Sequence, residues 1–347
     1  MKVLYHIFSY EPHWEAAAKE IALLAARTDG GIHEIDHLAE KKYRAIAPVA
    51  WALRRRHSQE PEQDEEMYDL HHFFLPDTQA PKYFGKLEKP RLVTITGGAP
   101  PEQPGKSSKT FIEPYLQLGN RAKHLVVAEP ELASRLRRMG LERISAIRPG
   151  IGIAPAPLPV PPLDGPFRLC FASSPFALFQ METRGIIALL NACATDENLE
   201  LVLVWRKRVK RKLLEEIRKR GIEDRVEVID SIVDIYDILM RCHAVTAPFT
   251  TPEHNMPYPR SCLEGLSAGR PVIVSDRIAL GKVIAEEGGG VTVPPTGEGI
   301  FSGVEQLRAE YEDRDAVAES AREIASRFFG LDEFLDTYAR LYEECVS

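Results

Sequence analysis

Short apolar runs alternate with amphipathic stretches along the first half of the chain. KVLYHIF (2–8) reads as a buried strand and the alanine-rich stretch 14–27 behind it as a helix. Further apolar runs predict strands at 68–74 (YDLHHFF), 91–96 (RLVTIT), 124–128 (HLVVA) and 144–148 (ISAIR). Strands alternating with helices imply βαβ units and a parallel sheet. QEPEQDEE (59–66) between them reads as a solvated acidic loop.

The pattern breaks at RPGIGIAPAPLPVPPLDGP (148–166). Repeated prolines exclude helix and interior strand and favour a stiff, extended connector. A domain boundary is expected there, with an N-terminal domain over 1–150, a proline-rich linker over 151–166 and a second domain over 167–325. The alternation then restarts, predicting strands at 167–172, 199–204, 225–229, 243–248 and 271–275, with helices at 183–194, 209–220, 232–241 and 261–268. This second half is the clearer doubly wound α/β domain. The end of the chain, 315–345, reads as helical and amphipathic, and its last part, 326–347, is expected to pack back across the hinge.

Composition narrows the classes. A chain of 347 residues, 44% hydrophobic and 27% charged, has the make-up of a soluble globular protein, of about two domains at roughly 150 residues each. A net charge of −7 argues against a general nucleic-acid binder. No apolar run approaches the ~18 residues of a membrane-spanning helix. The opening MKVLYHIFSYEPHW lacks the long apolar core and small-residue cleavage site of a secretory signal. Five cysteines without CxxC spacing fit neither a disulfide framework nor a zinc site. The chain reads as cytoplasmic. No metal site is expected: there is no HExxH, and the adjacent His71 and His72 would point to opposite faces of a strand. The glycine runs GGAP (97–100), GIG (150–152) and GGG (288–290) do not form GxGxxG after a first strand, which removes the main support for a nicotinamide dehydrogenase. A GxxxxGK[ST] phosphate loop is also missing. No cofactor is expected.

In open α/β sheets, ligands bind beyond the carboxyl ends of the strands. Three such ends carry unusual residues: Ser173-Ser174-Pro175 leading to Arg184-Gly185, then Trp205-Arg206-Lys207, and then FTTPEHNMPYPR (249–260) before SCLEGLSAG (261–269). Ser261 is placed to cap a short helix that Gly269 closes, and the N–H groups of such a helix start suit a phosphate. Two readings of Glu264 stay open: a ligand contact one turn into that helix, or the second member of a Ser261-x-x-Glu264 capping box. Arg184 and Arg206, at neighbouring strand ends, could clamp a diphosphate through charge-assisted hydrogen bonds or be ordinary surface residues. WRKRVKRKLLEEIRKR (205–220) holds nine basic residues against two acidic ones, and reads first as a solvated helix face with Glu215 and Glu216 pairing locally. With the Trp51-containing cluster WALRRRH (51–57), it also suggests attraction to an anionic membrane surface.

These residues resemble the retaining glycosyltransferases of family 4, whose GT-B fold has two facing Rossmann-like doubly wound domains. The resemblance is carried by RVEVIDSIVDIYDILMRCHAVTAPF (225–249), LEGLSAGRPVIVSD (263–276), GGGVTVPP (288–295) and FFGLDEFLDTYARLYEE (328–344). In the first half, AKHLVVAEPELASRLRRMG (122–140) and IRPGI (147–151) resemble the family's approach to the hinge. The resemblance implies a nucleotide-sugar donor in the C-terminal domain, held around Ser173, Ser174, Arg184, Arg206, Met256, Pro257, Tyr258, Arg260, Ser261 and Glu264. Glu264 matches the second glutamate of the Glu-x7-Glu motif, which holds the donor ribose, and Arg184 matches a lysine that contacts the diphosphate. The first glutamate falls on Met256, so Glu253 is the candidate carboxylate, with Arg184 as the other catalytic candidate. On the acceptor side, Gly97 and Gly98 stand where a histidine is common. The implied activity is sugar transfer with retention and without metal, to a glycan, lipid-linked or small-molecule acceptor. An enzyme of this kind could sit peripherally at the inner face of a membrane. A non-catalytic nucleotide-sugar binding protein and a nucleotide-sugar 2-epimerase are the alternatives.

Overall fold

The structure is a computed structural model that describes residues 1–13, 15–35, 65–99, 108–153, 158–206, 208–253 and 255–347. The basic cluster at 51–57 with Trp51, most of the acidic loop at 59–66, and part of the proline-rich stretch lie outside the described residues. The chain forms two compact units, Met1–Arg148 with Asp332–Ser347, and Pro149–Leu331.

The first unit carries six parallel strands: β1 (Lys2–Ile7), β2 (Asp29–Glu34), β3 (Leu70–Leu75), β4 (Arg91–Ile95), β5 (His124–Val127) and β6 (Ile144–Ala146). They are ordered β2-β1-β3-β4-β5-β6. β3 is buried along its whole length, as expected of a strand covered on both faces. On one face Phe73, Val93 and Leu125 pack with Phe84, Leu118 and Leu136. The terminal helix Leu331–Val346 belongs to this unit. Its Tyr342 hydroxyl meets His72 Nδ1 at 2.9 Å and its Tyr338 hydroxyl meets Thr94 Oγ1 at 2.9 Å.

Alternation along β3 sends His71 to the opposite face. There its Nδ1 lies 2.9 Å from His6 Nε2, and His6 Nδ1 lies 3.1 Å from His33 Nδ1. The expected opposition of His71 and His72 is therefore present. Among the described residues no group of three or more His, Cys, Asp or Glu is arranged to hold a metal ion.

The second unit carries β7 (Phe167–Phe171), β8 (Leu199–Val204), β9 (Val226–Ile229), β10 (Ala244–Ala247), β11 (Val272–Ser275) and β12 (Gly290–Val293), all parallel. Their order is β12-β11-β10-β7-β8-β9. The chain winds outward from β7 through β8 to β9, then crosses to β10 and winds the other way. The topological switch point therefore lies between β7 and β10, where open α/β sheets bind ligands.

The final region is helical as expected, divided into Arg314–Phe329 and Leu331–Val346 at Gly330, which takes an extended conformation and bridges Ile151. Two expectations are corrected. The helix expected at 232–241 shrinks to Ile235–Leu239, started by Asp234, whose side chain accepts from the Tyr236 N–H. The helix expected at 183–194 begins later, at Ile186, after a separate turn Gln180–Thr183.

The proline-rich stretch is fastened to the second unit. The buried Arg270 donates from Nε to the Leu239 carbonyl at 2.9 Å and from Nη1 and Nη2 to those of Leu158 and Pro159. A fully buried guanidinium needs such acceptors. All five cysteines are free and buried. No helix among the described residues is long and apolar enough to cross a membrane.

Candidate functional site

The loops that follow β7, β8 and β10 are hydrogen-bonded into one assembly at the switch point. Arg184 Nη1 donates to the carbonyls of Ser173 and Ser174 at 2.7 and 2.6 Å. These two bonds hold the guanidinium against the loop after β7. The Arg206 backbone N–H donates to Ser174 Oγ at 3.0 Å, which joins the loop after β8 to the same place. Ser173, Ser174, Arg184 and Arg206 are thus neighbours, although they are scattered over 34 positions of sequence.

The loop after β10 is pinned beside them. The Thr250 N–H and Asn255 Nδ2 both donate to the Thr183 carbonyl, at 3.0 and 3.2 Å. Asn255 Nδ2 also donates to the Thr251 carbonyl at 2.8 Å. Asn255 is buried, and its bonds fold the loop back on itself just before Met256. Neither Asn255 nor Thr183 stands out in the sequence, because the role of each depends on a contact with a segment some seventy residues away. Glu253 is half-buried in this loop, its N–H donating to Thr251 Oγ1 at 3.2 Å. Met256, where the resemblance has a glutamate, is half-buried.

The helix that follows spans Arg260–Ser267, and its N-cap is Pro259, not Ser261. Proline has no N–H to leave unsatisfied at a helix start, and the helix therefore begins at Arg260, one residue before the serine. This register overturns the capping-box reading, since Glu264 sits beyond the third helical position that a capping box requires. Glu264 instead lies one turn after Arg260, with Oε1 3.6 Å from Arg260 Nε. Both side chains are largely buried. Arg260 Nη1 donates to the Gly150 carbonyl at 3.0 Å, tying the helix start to the beginning of the proline-rich stretch. The helix ends at Ala268, and Gly269 takes φ +77°, the left-handed closure expected of it. Pro257 accepts from the Leu280 N–H at 3.0 Å. Tyr258 is turned into the interior, 2% exposed, with its ring 5.3 Å from that of Phe329.

The helix Lys210–Arg220 after β8 pairs its charges as the simpler reading expected. Lys212 and Arg220 meet Glu216 at 2.8 and 2.6 Å, and these hydrogen bonds, Arg220's first, hold its carboxyl down at about 2. Gly97 and Gly98 belong to the first unit, at the end of β4. A Cβ on Gly97 would stand 2.2 Å from the Pro76 carbonyl oxygen, so close backbone approach alone accounts for a glycine there.

Residues 181–324 match the family model of the glycosyl transferases group 1. The matched segment contains Arg184, Arg206, the loop after β10 and Glu264. Among solved structures, HepE from Anabaena in complex with UDP superposes with a TM-score of 0.70 at 17% identity, covering 99% of this chain and 100% of that one. Sucrose-phosphate synthase from Thermosynechococcus elongatus gives 0.73 at 15% identity, covering 99% of each chain. TarM of S. aureus gives 0.62 at 15% identity, over 81% of this chain and 57% of that one. No curated protein matches the chain in sequence. The fold is accordingly α/β, of the GT-B class.

Proposed function

We propose that the protein is a glycosyltransferase that binds a nucleotide-sugar in the Pro149–Leu331 unit and transfers the sugar with retention and without a metal ion. The observation that carries this reading is the convergence of Ser173, Ser174, Arg184, Arg206 and the loop before Arg260 at the switch point, within the segment that matches the glycosyl transferases group 1. The UDP named with HepE makes a uridine diphosphate sugar the first donor to test.

The chemistry follows from charge. Cleavage of a sugar–phosphate bond leaves negative charge on the departing nucleoside diphosphate while the sugar becomes oxocarbenium-like. Arg184 and Arg206, with the N–H groups at the start of Arg260–Ser267, stabilise that charge in the transition state. A preorganised donor of this kind is worth about 3 kcal/mol. Glu264 takes the donor ribose hydroxyls, and Glu253 supplies a carboxylate toward the sugar where Met256 cannot. Asn255 positions the loop that carries Glu253. The acceptor is a glycan, a lipid-linked sugar or a small molecule.

Met256 also supports a second reading, a non-catalytic nucleotide-sugar binding protein, because a thioether cannot accept from a sugar hydroxyl as a carboxylate does. A 2-epimerase is the third. Thermal denaturation with UDP tests the donor site, since a ligand that binds only the folded chain raises its melting temperature. Product analysis after incubation with UDP-sugars separates the rest. Released UDP supports transfer, an interconverted sugar means epimerisation, and intact donor with a raised melting temperature means binding only. No thermal shift with any nucleotide or nucleotide-sugar overturns the donor site itself.

A further inference from the structure

Among the described residues, Val209 is the only one other than glycine with a positive φ, at +61° with ψ 0°. That is the left-handed region, where a β-branched side chain is a genuine outlier. Such a conformation persists only where the surroundings over-determine it, and it gathers where function needs a fixed geometry. Three contacts close on Val209. The indole Nε1 of Trp205, the residue after β8, donates to the Arg208 carbonyl three positions on, at 3.0 Å. The Val209 carbonyl accepts from the Leu213 N–H at 3.1 Å, in the first turn of Lys210–Arg220. The Lys210 ammonium meets Asp230, just after β9, at 2.5 Å. Trp205 is itself fixed. It is 2% exposed, and its backbone N–H donates to the Ile229 carbonyl at 2.6 Å, which extends the β8–β9 ladder by one bond.

Arg206 lies between the fixed indole and the strained valine. Its backbone N–H is held by Ser174 Oγ at 3.0 Å, and the Ser174 carbonyl holds the Arg184 guanidinium at 2.6 Å. The chain is thus pinned on both sides of Arg206. We propose that Trp205 is a positioning residue: its indole N–H clasps the Arg208 carbonyl, keeps Val209 in the left-handed conformation and so presets Arg206 for the donor diphosphate. Without the clasp, Val209 relaxes out of the left-handed region and the chain that carries Arg206 turns with it. A cation placed by the fold needs no ordering when the diphosphate binds, so the strain at Val209 is offset by preorganisation. This deepens the donor-binding reading given above and rests on it.

The test uses the full chain, the two single variants Trp205→Phe and Val209→Gly, and the variant that combines them. Trp205→Phe keeps a ring and removes the indole N–H, whereas Val209→Gly removes the left-handed penalty. Calorimetric titration with UDP and with uridine reads the site, and urea denaturation reads the fold. Trp205→Phe should weaken UDP binding by about tenfold, the scale of a lost charge-assisted hydrogen bond, and leave uridine binding unchanged. Val209→Gly alone should bind UDP as the parent does and raise the urea midpoint, because the strain is gone. In the combined variant most of the lost UDP affinity should return, since a glycine keeps the left-handed turn without the clasp. A tryptophan that merely filled space would show no such rescue. Parental UDP affinity in Trp205→Phe, an equal loss for uridine, or no recovery in the combined variant overturns the proposal. A urea midpoint lowered by Val209→Gly also overturns it, whether or not Trp205→Phe folds. A parent that binds no nucleoside diphosphate overturns the donor reading and this proposal with it. A parent that binds UDP while the rescue fails overturns this proposal alone.

Discussion

Gly185 lies so close to Pro248 that a Cβ built on it would stand 1.9 Å from the Pro248 carbonyl oxygen. It also has φ +66°, where side chains other than glycine are strained. The contact presses the turn that carries Arg184 against the end of β10, so the glycine holds the two sides of the switch point together. Gly185→Ala should therefore cost more than a left-handed glycine alone. The left-handed strain accounts for roughly 1–2 kcal/mol and the collision with backbone adds about as much again. Gly221 is the control: its φ is +64°, but nothing lies within 4 Å of its would-be Cβ. Urea denaturation of both variants measures the difference. Equal losses of stability would mean that the approach to Pro248 is not a constraint.

Both sheets were legible because their inner strands are continuous apolar runs. VIVS (272–275) and LHHFFL (70–75) are fully buried, and even the two histidines of the second run are internal. Of the four edge strands, β6 and β9 were legible as ISAIR and RVEVI, but β2 and β12 were not. DGGIHE (29–34) is half exposed and rich in glycine, and GVTV (290–293) begins with a glycine at φ +154°. Edge strands bury too little to need an apolar run. The break at Gly330 depends on pairing with Ile151, some 180 positions earlier, and no local pattern reports such a contact. Within the site, Arg184, Arg206 and Glu264 could be picked out by charge at strand ends. Asn255 and Arg270 could not, because each is defined by the distant carbonyls that it binds.

Arg184→Ala should weaken nucleoside diphosphate binding by at least tenfold, since a charge-assisted hydrogen bond is worth about 1.5–3 kcal/mol. Binding of the nucleoside should change far less. Arg184→Lys should not restore affinity. An ammonium cannot reproduce the guanidinium geometry that now holds the Ser173 and Ser174 carbonyls. Calorimetric titration with UDP and uridine checks both. An Arg184→Ala protein that binds UDP as the parent does would remove Arg184 from the site.

Glu264→Gln keeps the shape of the side chain and removes its charge. It should reduce UDP affinity by roughly tenfold, on the same scale of charge-assisted hydrogen bonds, while leaving the urea midpoint close to that of the parent. The Arg260 contact, at 3.6 Å, is long for a hydrogen bond, and little stability should be lost with it. A variant that unfolds at much lower urea with unchanged UDP affinity would assign Glu264 a structural role only.

Acid should weaken the first unit through its buried histidines. Burial holds His6 and His72 well below the usual imidazole value, for His6 with the further repulsion of His71 and His33. Burial takes His71 to about 4, opposed by Glu65 and reinforced by Arg91. In the unfolded chain these imidazoles return to about 6.5. Below that value the unfolded state binds protons that the folded state refuses, so stability is complete above about pH 6.5 and falls as the pH drops towards 4. Each such group contributes up to about 1.4 kcal/mol per pH unit in that window. Between pH 7.5 and 5.5 the loss from the three together should reach about 4 kcal/mol in urea titrations. His6→Phe should flatten the slope by roughly one third, because it removes one of three refused protons and keeps a ring stacked on Phe73, whose centroid lies 4.2 Å away. A stability profile that is flat across this range, or a slope that His6→Phe leaves unchanged, would show that the histidines accept protons in the folded chain.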